Sequence, residues 1–194
     1  MRFDKEKFLF LYQNEYKPLN DSQKAGLLAI LEQIENDTHV TDIRWAAYML
    51  ATVKRECGGE WQPIGEYDKG KGRKYGVPAG PYGHIYYGRG LTQNTWLDNY
   101  RMLTEAWNKA HPDRPVDFVK DPDLLLQIEY SYWAMSYAMR NGAYTGVGLK
   151  KYINAEKCDY LNSRRIINGT DCADMIAGYA TTIEKLLTLS EMAA

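Results

Sequence analysis

Histidine and cysteine are scarce, three of each among 194 residues, and neither is spaced to hold a metal ion. His39, His84 and His111 stand far apart in the chain. Cys57, Cys158 and Cys172 lack the paired spacing of a zinc site, so neither a metal nor a cofactor is expected. An odd cysteine count fits reduced thiols, with a pairing of Cys158 and Cys172 left open for an oxidising compartment. Charge of one sign is also lacking: the formal net charge is -1, which excludes the basic field that dominates nucleic-acid binding. No apolar run approaches the roughly 18 residues of a membrane span. The apolar patch Phe8-Leu9-Phe10-Leu11 is too short for a secretory signal, so no signal and no membrane insertion are expected.

What is present is ordinary globular material with 45% hydrophobic and 25% charged residues, in a length that suits one well-buried core. We read residues 1–194 as a single domain, monomeric and mainly α-helical. Residues 4–16 carry Phe8, Leu11 and Tyr12 at helical spacing. Asp21-Ser22 reads as the cap of a second helix with Leu27, Ile30, Leu31 and Ile34 on one face. A third begins near Thr41-Asp42, places Ile43, Ala46, Ala47, Leu50 and Val53 in the core, and ends near Cys57, where Gly58-Gly59 stops it. From Gly58 to Gly90 glycine and proline punctuate short aromatic pieces, which predicts a loop-rich lobe with small hairpins. Helical patterning resumes from Thr92 to about Ala110. It resumes again after Asp121-Pro122, with Asp as cap, Pro first in the helix, and Leu125, Ile128, Tyr132, Met135 and Met139 along one face. After a glycine-rich break at Gly142–Gly148, shorter helices are predicted at Leu149–Ile153 and Asp159–Ile167, and a last one from Cys172 to Leu189.

Glu56 breaks a local rule. A carboxylate in the last turn of a helix faces the negative end of the macrodipole and loses roughly 0.3 to 1 kcal/mol against a neutral side chain. Such conflicts concentrate at functional sites. The glycine pair after it lets other chemistry approach closely, and the following loop supplies Glu60, Glu66 and Asp68. Two carboxylates from separate elements are the minimum equipment for hydrolysing a glycosidic bond, one giving a proton and one activating water. Cys57 beside Glu56 reads as a buried spectator thiol, with no histidine near it in sequence. The aromatics of the loop-rich lobe, Trp61, Tyr67, Tyr82, Tyr86 and Tyr87, suit either stacking on sugar faces or filling a small core, and packing is the reading for at least half of them.

Three blocks together carry a family resemblance: "TVKRECGGEW" at 52–61, "YYGRGLTQNTWLDNY" at 86–100 and "RRIING" at 164–169. They are similar to the motifs of glycoside hydrolase family 19, the group of plant-type chitinases and the phage endolysins that resemble them. Its second block reads Tyr-Gly-Arg-Gly-x-x-Gln-x-(Ser/Thr) before an aromatic-rich Asn-Tyr ending. The resemblance implies a lysozyme-like helical domain whose small hairpin lobe flanks an active-site cleft. It implies Glu56 as general acid, Glu66 of "PIGEYD" as general base, with Asp68 and Glu60 as alternatives, and Thr95 as the hydroxyl that positions the water. Gln93, Asn99 and Asn168 match the family's sugar contacts, and amides suit N-acetyl and hydroxyl groups. Tyr87 and Arg89 join them as substrate-side candidates, Arg89 also as a structural partner of a cleft carboxylate. The family's histidine before the acid is replaced by Arg55, which is compatible with an acid role when its side chain points away.

The expected activity is therefore hydrolysis of β-1,4 bonds in an N-acetylated polysaccharide by single displacement with inversion, which requires carboxyls about 6.5 to 9.5 Å apart. Bacterial peptidoglycan is the preferred substrate, because the short interval between the two carboxylates is similar to the endolysin branch. That branch implies synthesis in a host bacterial cytoplasm and release to the wall by a holin. The other readings are a chitinase, a lytic transglycosylase using one glutamate, and a non-catalytic wall-binding virion protein.

Overall fold

A computed structural model describes residues 1–193, and their fold is mainly α-helical, with one short two-stranded sheet. Contacts divide the chain into two compact units, Met1–Gln62 with Met135–Ala194, and Pro63–Ala134.

The first unit holds α1 (Lys5–Glu15), α2 (Asp21–Asn36), α3 (Ile43–Glu56), the short α6 (Tyr160–Ser163) and α7 (Ala173–Ser190). The predicted periodicity is realised in α1 and α2, where Phe8, Leu27, Ile30 and Leu31 are wholly buried, and α7 buries Ile176, Ala180 and Ile183 in the same way. The second helix starts one residue earlier than Asp21-Ser22 suggests. Asn20 is its cap, accepting from the Gln23 amide while the Gln23 side chain accepts from the Asn20 amide, a reciprocal pair that satisfies two otherwise open donors. Asp42 caps α3 by accepting from the Arg44 amide. In α3 every residue from Ala46 to Val53 is buried, not one face alone; it packs against α7, which also takes α1 and α6. A helix enclosed on all sides needs small or apolar residues all round, and Ala46, Ala47 and Ala51 provide the room. Both chain ends join this unit, where Phe3 bridges Glu191.

The second unit is built on β1 (Ile64–Gly65) and β2 (Arg89–Gly90), antiparallel, with Ile64 opposite Gly90 and Gly65 opposite Arg89. Its helix α4 runs over Leu97–Ala110 and buries Tyr100, Leu103 and Trp107. The predicted start at Thr92 is corrected here. Gln93 and Trp96 have left-handed φ values of 52° and 70°, which no α-helix admits, so residues 90–96 form a turn and Arg89 pairs with Asn94 across it. The helix predicted after Asp121-Pro122 is also divided. Pro122–Leu126 is a 3-10 turn, Gln127 is extended, and α5 (Ile128–Asn141) begins only after it. α5 starts in this unit and ends in the other. Leu149–Lys151 and Arg164–Ile166 are likewise single 3-10 turns.

Candidate functional site

In the first unit, Glu56 is the last residue of α3, and Cys57 closes the helix by donating its amide to Val53 O at 2.9 Å. The chain then turns through Gly58 and Gly59, with φ of 59° and 82°. Other residues resist that conformation, so the glycine pair lets the backbone leave the helix at once. Arg164 holds Glu56. Its Nη1 donates to Glu56 Oε1 at 2.7 Å, and its Nε donates to Asp171 O at 2.8 Å. The arginine side chain is 3% exposed and that of Glu56 18%. This is a largely dry, charge-assisted contact that fixes one carboxyl oxygen and leaves Oε2 without a partner among the described residues.

Arg164 belongs to the third sequence block but was not among the residues expected at the site. Nothing in the sequence distinguishes Arg164 from its neighbour Arg165, which is exposed; the burial of one and not the other is set by the partner it meets in the fold. Asn168 follows in the same turn, with its backbone amide on Arg164 O at 3.0 Å and its side chain exposed. Arg55 has the Cys172 thiol beside it. That neighbour is the main cause holding its guanidinium above the usual value, against the effect of burial and with smaller help from Glu56 and Asp171. Glu60 is exposed and closes the turn after α3 through its backbone amide on Cys57 O.

In the second unit, Glu66 follows β1 and extends the strand pairing, its amide donating to Gly88 O at 2.7 Å. Its carboxylate takes the Gly88 amide on Oε2 at 3.1 Å and the Tyr75 hydroxyl on Oε1 at 3.0 Å. Tyr75 also packs edge-on against Trp96, which is 48% exposed. Tyr75 and Trp96 were not legible as site residues: Tyr75 sits in a stretch without periodicity, and Trp96 in one read as helix. A Cβ at position 88 would stand 2.8 Å from Gln93 Oε1, so a larger residue there would require the end of that side chain to shift. Gln93 donates its Nε2 to Ile64 O and Gly90 O, at 3.0 and 3.1 Å, and thereby braces both strands. Thr95 is half-buried, and its hydroxyl has no partner among the described residues, while its carbonyl accepts the Asn99 Nδ2 at 2.8 Å. Asp68 is exposed.

Arg89 points inward and is 4% exposed. Its Nε meets Asp123 Oδ1 at 2.7 Å, its Nη1 donates to Ile85 O and Tyr100 Oη, and its guanidinium stacks 3.6 Å from the Tyr87 ring centre. The carboxylate partner expected for Arg89 is thus Asp123. Glu66, Tyr87, Arg89 and Gln93 are brought together around one hairpin, with Thr95 and Asn99 just beyond it. Glu56 and Asn168 lie on the other unit, joined through Arg164.

The chain shares its fold with chitinase C. The crystal structure of chitinase C from Streptomyces griseus HUT6037 matches with a TM-score of 0.66 at 20% identity, over 99% of this chain and 79% of that one. A mutant of chitinase C matches with a TM-score of 0.53 at 17% identity, over 96% and 92%. No family model and no curated protein matches the sequence. The mainly helical architecture expected from the sequence is therefore that of known enzymes, reached here with a very different set of residues.

Proposed function

We propose that this protein is a glycoside hydrolase that cleaves β-1,4 bonds of bacterial peptidoglycan. The observation that carries the reading is Glu56, a carboxylate at a helix end, clamped on one oxygen by the buried Arg164 and open on the other, within a fold shared with a chitinase. A carboxyl so held offers Oε2 to a glycosidic oxygen as proton donor. Glu66, fixed by a backbone amide and a phenol, is the proposed base. The unpartnered Thr95 hydroxyl both accepts and donates, as positioning a water requires. Asn99, Asn168 and Tyr87 are the proposed sugar contacts, Gln93 and Arg89 the braces that hold the hairpin, and the chain acts as a monomer released to the wall from a host cytoplasm.

A chitinase is the second reading, favoured by what the structural neighbours are called. Rates on purified cell wall and on colloidal chitin separate the two, and faster chitin cleavage rejects the first. Proton NMR of the first-formed sugar is expected to show the inverted anomer. A retained anomer overturns the single-displacement scheme, and a 1,6-anhydro product points to a transglycosylase.

Tyr75 is a positioning residue on this reading. Tyr75→Phe removes one hydrogen bond to a charged group, and kcat is expected to fall about tenfold with KM little changed. Because the freed Glu66 oxygen is half-exposed and remains hydrated, thermal unfolding should move little. A change in KM alone would assign Tyr75 to sugar binding.

A further inference from the structure

A second feature stands at the same end of α3 as Glu56. A shallow pocket of about 410 Å³ is lined by Lys17, Lys54 and Arg55, with Met175 and Tyr179 as apolar wall and Gly58-Gly59 as floor. No acidic residue lines it, and among the described residues none of the three cations forms an ion pair. Glu56 and Asp171 act on Arg55 through their charge, but neither lines the pocket.

Lys54 is the most costly of the three to keep. Its ammonium is half-buried among aromatic rings, 4.0 Å from the Tyr16 ring centre and 5.2 Å from that of Tyr179, and donates to Tyr12 Oη at 2.6 Å. Burial, with repulsion from Lys17, pulls its pKa down to about 8. One of its three N–H groups is used by Tyr12, which leaves two for a ligand. The Gly59 amide has no partner among the described residues, and a side chain at either glycine would meet open space. Neighbouring cations without an ion-pair partner, free N–H donors and an apolar wall make up the chemistry of a carboxylate site.

We infer that this pocket is an anion subsite that receives a carboxylate carried by the wall glycan, so that the enzyme selects an acidic polymer over neutral chitin. The inference rests on the peptidoglycan reading and deepens it. Peptidoglycan carries carboxylates on its lactyl ethers and peptide stems, whereas chitin has none. The glycine pair links the two places in the chain: the backbone that leaves Glu56 forms the floor of the pocket.

Binding tests this apart from catalysis. In a Glu56→Gln background, the affinity for a soluble muropeptide is measured by calorimetry and compared with the same muropeptide after amidation of its carboxylates, and with the peptide-free disaccharide that keeps the lactyl group. The unmodified muropeptide should bind about tenfold more tightly than the amidated one, and more weakly as sodium chloride is raised. The double variant Lys17→Gln, Arg55→Gln should lose that advantage while binding the amidated form as before. Lys17 is exposed and Arg55 half-buried, so the fold should tolerate both changes, and the salt dependence of the unsubstituted pocket provides the same readout without them. Retention of the tenfold preference in the disaccharide assigns the lactyl carboxylate, and its loss assigns the peptide. Equal affinity for the native and amidated forms, no binding of either, or no effect of the double variant overturns the subsite. Binding as expected without cleavage of wall by the parent protein would reject the hydrolase reading and leave the subsite standing.

Discussion

Replacing Glu56 with Gln is expected to lower kcat on purified wall by about 10²- to 10⁴-fold, the usual contribution of a positioned general acid. The amide preserves the side chain's shape, and Gln Oε1 can still accept from Arg164, so the loss reports proton delivery rather than a rearranged site. The substitution also leaves a 3% exposed guanidinium without its counter-charge. Stability should therefore fall by about 1 to 3 kcal/mol, read as a shift in the urea midpoint with unchanged slope. Glu60→Gln is the matched control: that side chain is exposed and has no described partner, and both rate and midpoint should stay close to the parent's. A Glu56→Gln protein that clears wall at the parental rate would remove the proposed acid and the mechanism with it.

The largest effect on stability is expected from Arg89→Met, about 2 to 4 kcal/mol. Methionine fills much of the volume, but the half-buried Ile85 O loses a donor, as does the buried Tyr100 Oη, and the stack on Tyr87 disappears. The ion pair itself contributes little of this. Asp123 is 64% exposed, so water can replace the arginine at its carboxylate, and Asp123→Asn should cost below about 1 kcal/mol. Urea titrations of the two variants decide between these sources. Similar losses from both would show that the charge pair, not the acceptors on Ile85 and Tyr100, holds the hairpin. Since Arg89 lies on β2, directly after the Gly88 whose amide and carbonyl hold Glu66, Arg89→Met should also depress kcat even where the protein remains folded.

Much of the helical framework was legible in the sequence because it obeys local rules. Phe8 and Tyr12, the apolar face of α2 and the small residues of α3 repeat at helical spacing, and the glycine pair marks where α3 must end. The misplaced boundary at Thr92 has a physical source. Gln93 and Trp96 adopt left-handed backbone angles that β-bonding and packing around the hairpin impose, and residue type alone does not announce them. Asp121-Pro122 carries the signs of a helix start, but the 3-10 turn it opens is ended by extended Gln127. At the candidate site, Glu56 and Glu66 could be found from chemistry and resemblance, whereas Arg164 could not be paired with Glu56, 108 positions away in sequence. Tyr75 and Asp123 were hidden for the same reason: each acquires its role through a partner that only the folded chain supplies.

The turn through positions 58 and 59 has a consequence for how the site can vary. A Cβ added at either position would meet nothing within 4 Å, so bulk is no obstacle there; torsion is. Genetic drift at these two positions would meet a barrier invisible to any map of atomic crowding, and asparagine, the side chain best suited to left-handed angles, is the mildest departure open to them.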